Sequence, residues 1–134
     1  VGGTNEQFEK LVKIAPSNVT IEPPTLKFRQ ILMSAKASVS MVGYNTALDV
    51  LQAGVPAVLI PFDSGGEIEQ SLRANVLKTL PAIEVIQQKS LNGANLVDKV
   101  KAVILAGRRH PRTKGMDGAE TTVQITHYLR TKAI

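Results

Sequence analysis

Ser38-Val39-Ser40-Met41-Val42-Gly43-Tyr44-Asn45-Thr46-Ala47-Leu48-Asp49-Val50-Leu51 is the stretch that decides how this chain folds. A short run containing β-branched side chains stops at a glycine, and a helical pattern begins at once. Ala47, Val50, Leu51 and Gly54 recur at helical spacing, and Asp49 lies off that apolar face. A strand, a glycine turn and a helix N-terminus in succession make a candidate anion site. The glycine lets backbone approach closely, and the first N–H groups of the helix point outward at the positive end of its dipole. Such units recur throughout α/β proteins, so the stretch alone establishes a candidate phosphate pocket and no more.

The neighbouring segments extend the pattern in both directions. Downstream, Gly54 ends the helix, Val55-Pro56 turns the chain, and Ala57-Val58-Leu59-Ile60-Pro61 is apolar throughout, as a parallel strand covered on both faces requires. A polar loop over 62–66, a helix over 67–80, a last strand over 83–86 and a helix over 96–105 follow. A final helix begins in 118–128, with Val123, Ile125 and Tyr128 on its packing side. Upstream, Thr25 is a predicted cap for a helix with Leu26, Phe28, Ile31, Leu32 and Ala35 as its stripe. Before it, 18–22 reads as a short strand stopped by Pro23-Pro24. Val1-Gly2-Gly3 reads as the end of a strand and a turn. Thr4 and Gln7 form a capping box for a helix with Phe8, Leu11 and Val12 on its buried side, ended by Pro16. Strands alternating with helices predict an α/β fold, a Rossmann-like parallel sheet flanked by helices. In such sheets ligands sit at the carboxyl ends of the strands, where the loops 42–46 and 62–70 share one edge.

Composition bounds the function. The 134 residues suit a single domain with one core, spanning 1–134, and hydrophobic residues at 43% with charged residues at 20% are ordinary for a globular protein. Aromatic residues make up only 4%, so aliphatic side chains fill the core. The absence of cysteine excludes disulfides and thiolate chemistry. The longest apolar run, 55–62, is interrupted by Pro56 and Pro61 and is too short to span a bilayer. No secretory signal pattern is visible at the start, and the expected location is cytoplasmic. The net charge of +5 is concentrated late in the chain: from Arg108 onward there are six basic residues against Asp117 and Glu120. The segment 108–114 has the charge to meet phosphates, nucleic acid or anionic lipid, and otherwise reads as a solvated loop between two helices. No aromatic residue is interleaved with those charges, so base stacking is unsupported and no nucleic-acid partner is expected.

The residues offer a narrow choice of chemistry. No phosphate-binding glycine-lysine loop, no metal-binding Cys/His cluster and no nucleophile elbow is present. His110 and His127 have no evident partners, and His127 falls within a helix. What remains is the Gly43 turn, Asp49 in its helix, and Glu69-Gln70 beyond the next strand. Carboxylate and amide side chains at a pocket rim recognise hydroxyls. Phosphate together with hydroxyls points to a nucleotide or a nucleotide sugar, while Asp49 and Glu69 are equally readable as solvated helix residues.

At this point the pattern resembles a known family. Ser38-x-Ser40-x-x-Gly43-Tyr44-Asn45-Thr46-Ala47-x-Asp49-x-Leu51-x-x-Gly54 through Phe62, followed by Glu69-Gln70-x-x-Arg73-Ala74, looks like the C-terminal domain of GT-B glycosyltransferases. The resemblance is to those like the bacterial N-acetylglucosaminyltransferases of peptidoglycan-precursor synthesis. It implies that this domain binds the donor, a nucleotide-diphosphate sugar that is UDP-linked, as substrate and without a resident cofactor or metal. Gly43, Tyr44, Asn45 and Thr46 would hold the diphosphate, Asp49 the ribose, Glu69-Gln70 the donor sugar, and the loop of Pro24-Thr25-Leu26 the base. Two departures stand out: Asp49 is one methylene shorter than the family's usual glutamate, and Arg73 stands where many members have asparagine. The family domain also opens with a further strand unit, so the chain reads as a fragment whose acceptor site and general base lie on a missing N-terminal domain or a partner chain. Any contact with the inner face of a membrane would belong to that missing part. No catalytic residue is assigned, and the chain alone is expected to transfer nothing. A sugar-nucleotide epimerase and a non-catalytic interaction module are the alternatives.

Overall fold

The computed structural model describes residues 3–62, 68–112, 115–116 and 118–132. Its elements, in chain order, are α1 (Asn5–Ile14), α2 (Phe28–Ser34), β1 (Ser38–Ser40), α3 (Tyr44–Ala53), β2 (Ala57–Leu59), α4 (Glu69–Leu77), β3 (Ile83–Val85), a short 3₁₀ turn (Gln88–Ser90), α5 (Gly93–Ala106) and α6 (Gly118–Lys132). The three strands form one parallel sheet in the order β1-β2-β3. Val58 stands in register with Val39 on one side and with Glu84 on the other.

The apolar β2 is covered on both faces, as its composition predicts. Ala57 and Leu59 join Val42, Ala47, Val50, Val55, Ala74 and Leu77 in a core between the sheet and α2, α3 and α4. Val58 points the other way and packs with Ile86 and Val103, with Leu96 and Val100 of α5 alongside. Alternation of side chains along a strand sends neighbours to opposite faces, so one tripeptide seals two layers. Lys99 of α5 pairs with Glu84 of β3 at 2.8 Å and ties the second layer to the sheet edge.

Gly54 closes α3 in the left-handed conformation, with φ +63°, and its N–H returns to Leu51 O. A side chain is excluded there twice over: by that φ, and because a Cβ would lie 2.4 Å from Arg109 O. The predicted capping box is present, with Thr4 Oγ1 accepting from Gln7 N and Gln7 Oε1 accepting from Thr4 N.

Several expectations are corrected. Residues 18–22 form no strand: none of the described residues pairs with them, and Val19 N closes a turn to Pro16 O. Thr25 caps no helix: its Oγ1 accepts from Lys27 N in the turn before α2, and only Leu32 of the predicted stripe is buried in that helix. Phe8, Leu11 and Val12 are not buried, nor are Val123, Ile125 and Tyr128, because α1 and α6 bury none of their residues. Helical period names the face that is apolar, not what covers it. Val1 and Gly2, and most of the 62–66 loop, lie outside the described residues.

The basic segment is neither a solvated loop nor a free anion site at Arg108 and Arg109. Arg109 Nη1 donates to Pro81 O (3.3 Å) and Ala82 O (3.0 Å), and Nη2 to Val50 O (3.2 Å) and Val55 O (2.7 Å). Arg108 donates to Ala53 O at 2.8 Å and Ala35 O at 2.7 Å. These carbonyls close α2 and α3 and precede β2 and β3; those at the helix ends have no partner within their helix, and Ala82 O also accepts from Ala57 N at 2.9 Å. Burial, and secondarily the charge of Arg108, lowers the Arg109 guanidinium below its ordinary pKa. Two cations thus stitch the end of the sheet remote from Gly43. Thr113 and Lys114 lie outside the described residues.

Candidate functional site

The two loops singled out at the carboxyl edge of the sheet are physically joined. Past Ser40 the β1 ladder ends, leaving both backbone polar groups of Val42 without a strand partner. Gln70 Oε1, from the first turn of α4, accepts from Val42 N at 3.2 Å and from Phe62 N at 3.1 Å. Arg73 Nη1, one turn on, donates to Val42 O at 2.7 Å. One helix therefore fixes the approach to Gly43 by holding the N–H and the C=O of the residue before it.

Gly43 is the N-cap of α3, its C=O accepting from Ala47 N at 2.9 Å. Lacking a side chain, it offers no capping oxygen to the first-turn N–H groups, in contrast to Thr4 at α1 and Asn92 at α5. Uncapped donors at a helix N-terminus favour an anionic partner. The glycine is not demanded by conformation: its φ is −60°, and an added Cβ would meet only Thr46 Oγ1, at 4.0 Å. Tyr44 and Asn45 are exposed and Thr46 is half-buried.

Beside this turn runs an open groove of about 380 Å³, lined by Thr25, Leu26, Phe28, Arg29, Asn45, Leu48 and Asp49. Thr25, Asn45 and Asp49, separated by up to 24 positions in the chain, are brought together there. Asp49 is not a solvated helix residue. Its side chain is only 17% exposed, and Oδ1 accepts from Arg29 Nε at 2.9 Å. On the other side of the Gly43 turn, Glu69 is 77% exposed and pairs with Arg73 Nη2. The Arg73 guanidinium lies 5.8 Å from the Tyr44 ring centroid, within cation–π range. The site thus has two rims, Thr25–Asp49 and Glu69–Gln70, with the Gly43 turn between them.

Sequence reasoning left out two residues of this site. Arg29 is invisible as the partner of Asp49 because 20 positions separate them. Arg73 was legible only as a departure from the family pattern; its i,i+4 spacing to Glu69 was the available signal. A larger groove, about 530 Å³, lies at the opposite edge among Leu51, Leu80, Pro81 and 106–112. It borders the amino ends of β2 and β3, where open α/β sheets do not carry their ligands.

Residues 2–126 match the glycosyltransferase family 28 C-terminal domain. Among curated proteins, the chain is 22% identical over 130 residues to the UDP-N-acetylglucosamine–N-acetylmuramyl-(pentapeptide) pyrophosphoryl-undecaprenol N-acetylglucosamine transferase of Caldanaerobacter subterraneus, covering 94% of this chain and 36% of that protein. It is 26% identical over 106 residues to the protein of the same name from Moorella thermoacetica (79% and 28% covered). With the one from Levilactobacillus brevis it shares 30% over 82 residues (61% and 22%). The chain spans about a third of the length of these relatives. It has no significant match among solved structures.

Proposed function

Since this chain belongs to glycosyltransferase family 28, as its C-terminal domain, we propose that it is the half of a glycosyltransferase that binds a nucleotide-diphosphate sugar. The observation that carries this reading is the uncapped first turn of α3, opening beside the groove that gathers Thr25, Asn45 and Asp49. In this reading the Gly43 turn and the N–H groups of Tyr44, Asn45 and Thr46 hold the diphosphate. Asp49 takes the ribose hydroxyls, and the loop at Thr25 lies against the base. Glu69 and Gln70 face the sugar from the other rim. Gln70 brings its amide nitrogen, because its oxygen is already engaged by Val42 and Phe62. The relatives' names specify UDP-N-acetylglucosamine, so UDP is the nucleotide assigned to the groove and a hexosyl group the one transferred.

The chemistry follows from the helix. As the glycosidic bond breaks, negative charge develops on the departing nucleoside diphosphate, and preoriented N–H donors at a helix N-terminus stabilise it without reorganising. The chain contributes this leaving-group half of the reaction. The acceptor site and the general base belong to the other half, on the same polypeptide or a partner, and so does any contact with the inner face of a membrane. No described helix is long and apolar enough to cross one. The family match favours this reading over the epimerase and the interaction module.

Titration calorimetry with UDP, ADP and GDP tests the proposal, with Gly43→Val as the control. Because the backbone at Gly43 is one that any residue adopts and a Cβ has room, the variant keeps its fold. UDP binding by the native chain and its loss in folded Gly43→Val is the expected result. A folded variant that binds UDP normally overturns the assignment.

A further inference from the structure

Arg73 stands outside every ligand-binding role assigned so far, yet it touches three parts of the site. It donates through Nη1 to Val42 O at 2.7 Å, pairs through Nη2 with Glu69 and lies 5.8 Å from the Tyr44 ring centroid. Its side chain is only 18% exposed, whereas Glu69 is 77% exposed. Placing a cation in that setting has a cost, which the hydrogen bonds must offset.

The bond to Val42 O has a particular consequence. Val42 is fully buried and immediately precedes Gly43, beyond the last ladder residue of β1. Its N–H is held by Gln70 and its C=O by Arg73, so the peptide planes on both sides of Val42 are fixed by α4. The second of those planes carries the Gly43 N–H. The orientation of the anion-facing turn is thereby set by a helix that follows the next strand, not by the strand that leads into it. The Tyr44 ring, the first side chain of α3, is braced by the same guanidinium.

We propose that Arg73 is the positioning residue of the diphosphate turn: through Val42 O and the Tyr44 ring it holds the Gly43–Thr46 backbone in the geometry that receives the nucleotide. The inference rests on the donor-binding reading above, and it goes further by assigning to Arg73 an effect on UDP itself, a ligand that lacks the transferred sugar and so does not reach the Glu69 rim. Lysine at the same position reaches Val42 O with one donor and restores part of the effect. A neutral side chain of similar length does not.

Two measurements on the 134-residue chain test it. In the unliganded protein, amide hydrogen exchange at Val42 and Ala47, the hydrogen-bonded amides on either side of the turn, quickens in Arg73→Ala and Arg73→Gln, while β2 and α5 stay protected. In calorimetry, both variants bind UDP at least about tenfold more weakly, the lower end of the worth of one hydrogen bond to a charged group, and Arg73→Lys recovers part of that loss. Unchanged exchange at the turn overturns the inference whatever the binding shows. UDP affinity within twofold of native in both neutral variants overturns it as well. If the native chain binds no UDP, the donor-binding reading fails, and the exchange data alone decide the role of Arg73. Should Arg73→Ala not fold, Arg73→Gln supplies the same comparison.

Discussion

Replacing Arg109 by alanine removes four hydrogen bonds to main-chain carbonyls at once, and the size of the loss follows from their geometry. The contacts to Val55 O at 2.7 Å and Ala82 O at 3.0 Å are well within hydrogen-bond range; those to Val50 O and Pro81 O, at 3.2 and 3.3 Å, are longer and weaker. A hydrogen bond from a charged donor contributes about 1.5–3 kcal/mol net, which for the two short contacts gives roughly 3–6 kcal/mol. That net figure already includes the cost of desolvating the guanidinium, and the lower end, about 3 kcal/mol, is the expected loss, in the range found for breaking a buried polar network. For a domain of this size that corresponds to roughly 12 °C in Tm. Urea unfolding followed by far-ultraviolet circular dichroism measures it, with Arg112→Ala as the control. Among the described residues only the main chain of Arg112 is tied down, N–H to Leu51 O, so its alanine variant is expected to change little. A loss below about 0.5 kcal/mol for Arg109→Ala, no larger than at an ordinary surface position, would refute the stitching role.

Gly54→Ala is expected to be as damaging: the left-handed backbone costs about 1–2 kcal/mol, and the new Cβ at 2.4 Å from Arg109 O displaces that segment as well. Thermal unfolding reads this directly, and a Tm near native contradicts it. Asp49→Ala should weaken UDP binding by about 1–3 kcal/mol, the cost of leaving hydroxyl groups unpaired, with little change in stability because Arg29, its partner, is 70% exposed. Equal stability loss with unchanged affinity would make Asp49 a scaffold residue. Glu69→Ala should weaken UDP-N-acetylglucosamine while leaving UDP unaffected, since the carboxylate is assigned to the sugar; a loss shared by both ligands contradicts that assignment.

The parts of this architecture legible in the sequence are those whose cause is local. The α3 helix, its Gly54 terminus and the doubly covered β2 follow from periodicity and from one glycine, and the Thr4–Gln7 box from spacing alone. The rest depends on distant partners. Residues 18–22 have strand-like composition, but a strand exists only beside another, and none of the described residues pairs with them. The apolar stripes of α1 and α6 are real, yet nothing among the described residues buries them. Charge misled most at Arg108 and Arg109, because composition counts a cation without saying whether water or backbone carbonyls surround it. In the site, the sequence names Asp49 as a candidate carboxylate by its place one turn into the helix, but Thr25 and Asn45 only through resemblance. Their meeting in one groove depends on how α2 lies against α3. Arg73 gains its meaning from Val42 O, 31 positions away.

The central claim is that a nucleoside diphosphate docks on the first turn of α3. Backbone ¹⁵N–¹H spectra of the labelled chain, recorded as UDP is added, test it most directly. The account predicts shifts concentrated at Tyr44, Asn45 and Thr46, extending to Thr25 and Asp49 along the groove, with the remote 106–112 segment unmoved. Shifts confined to that remote edge, or a spectrum that does not change at saturating UDP, would contradict it.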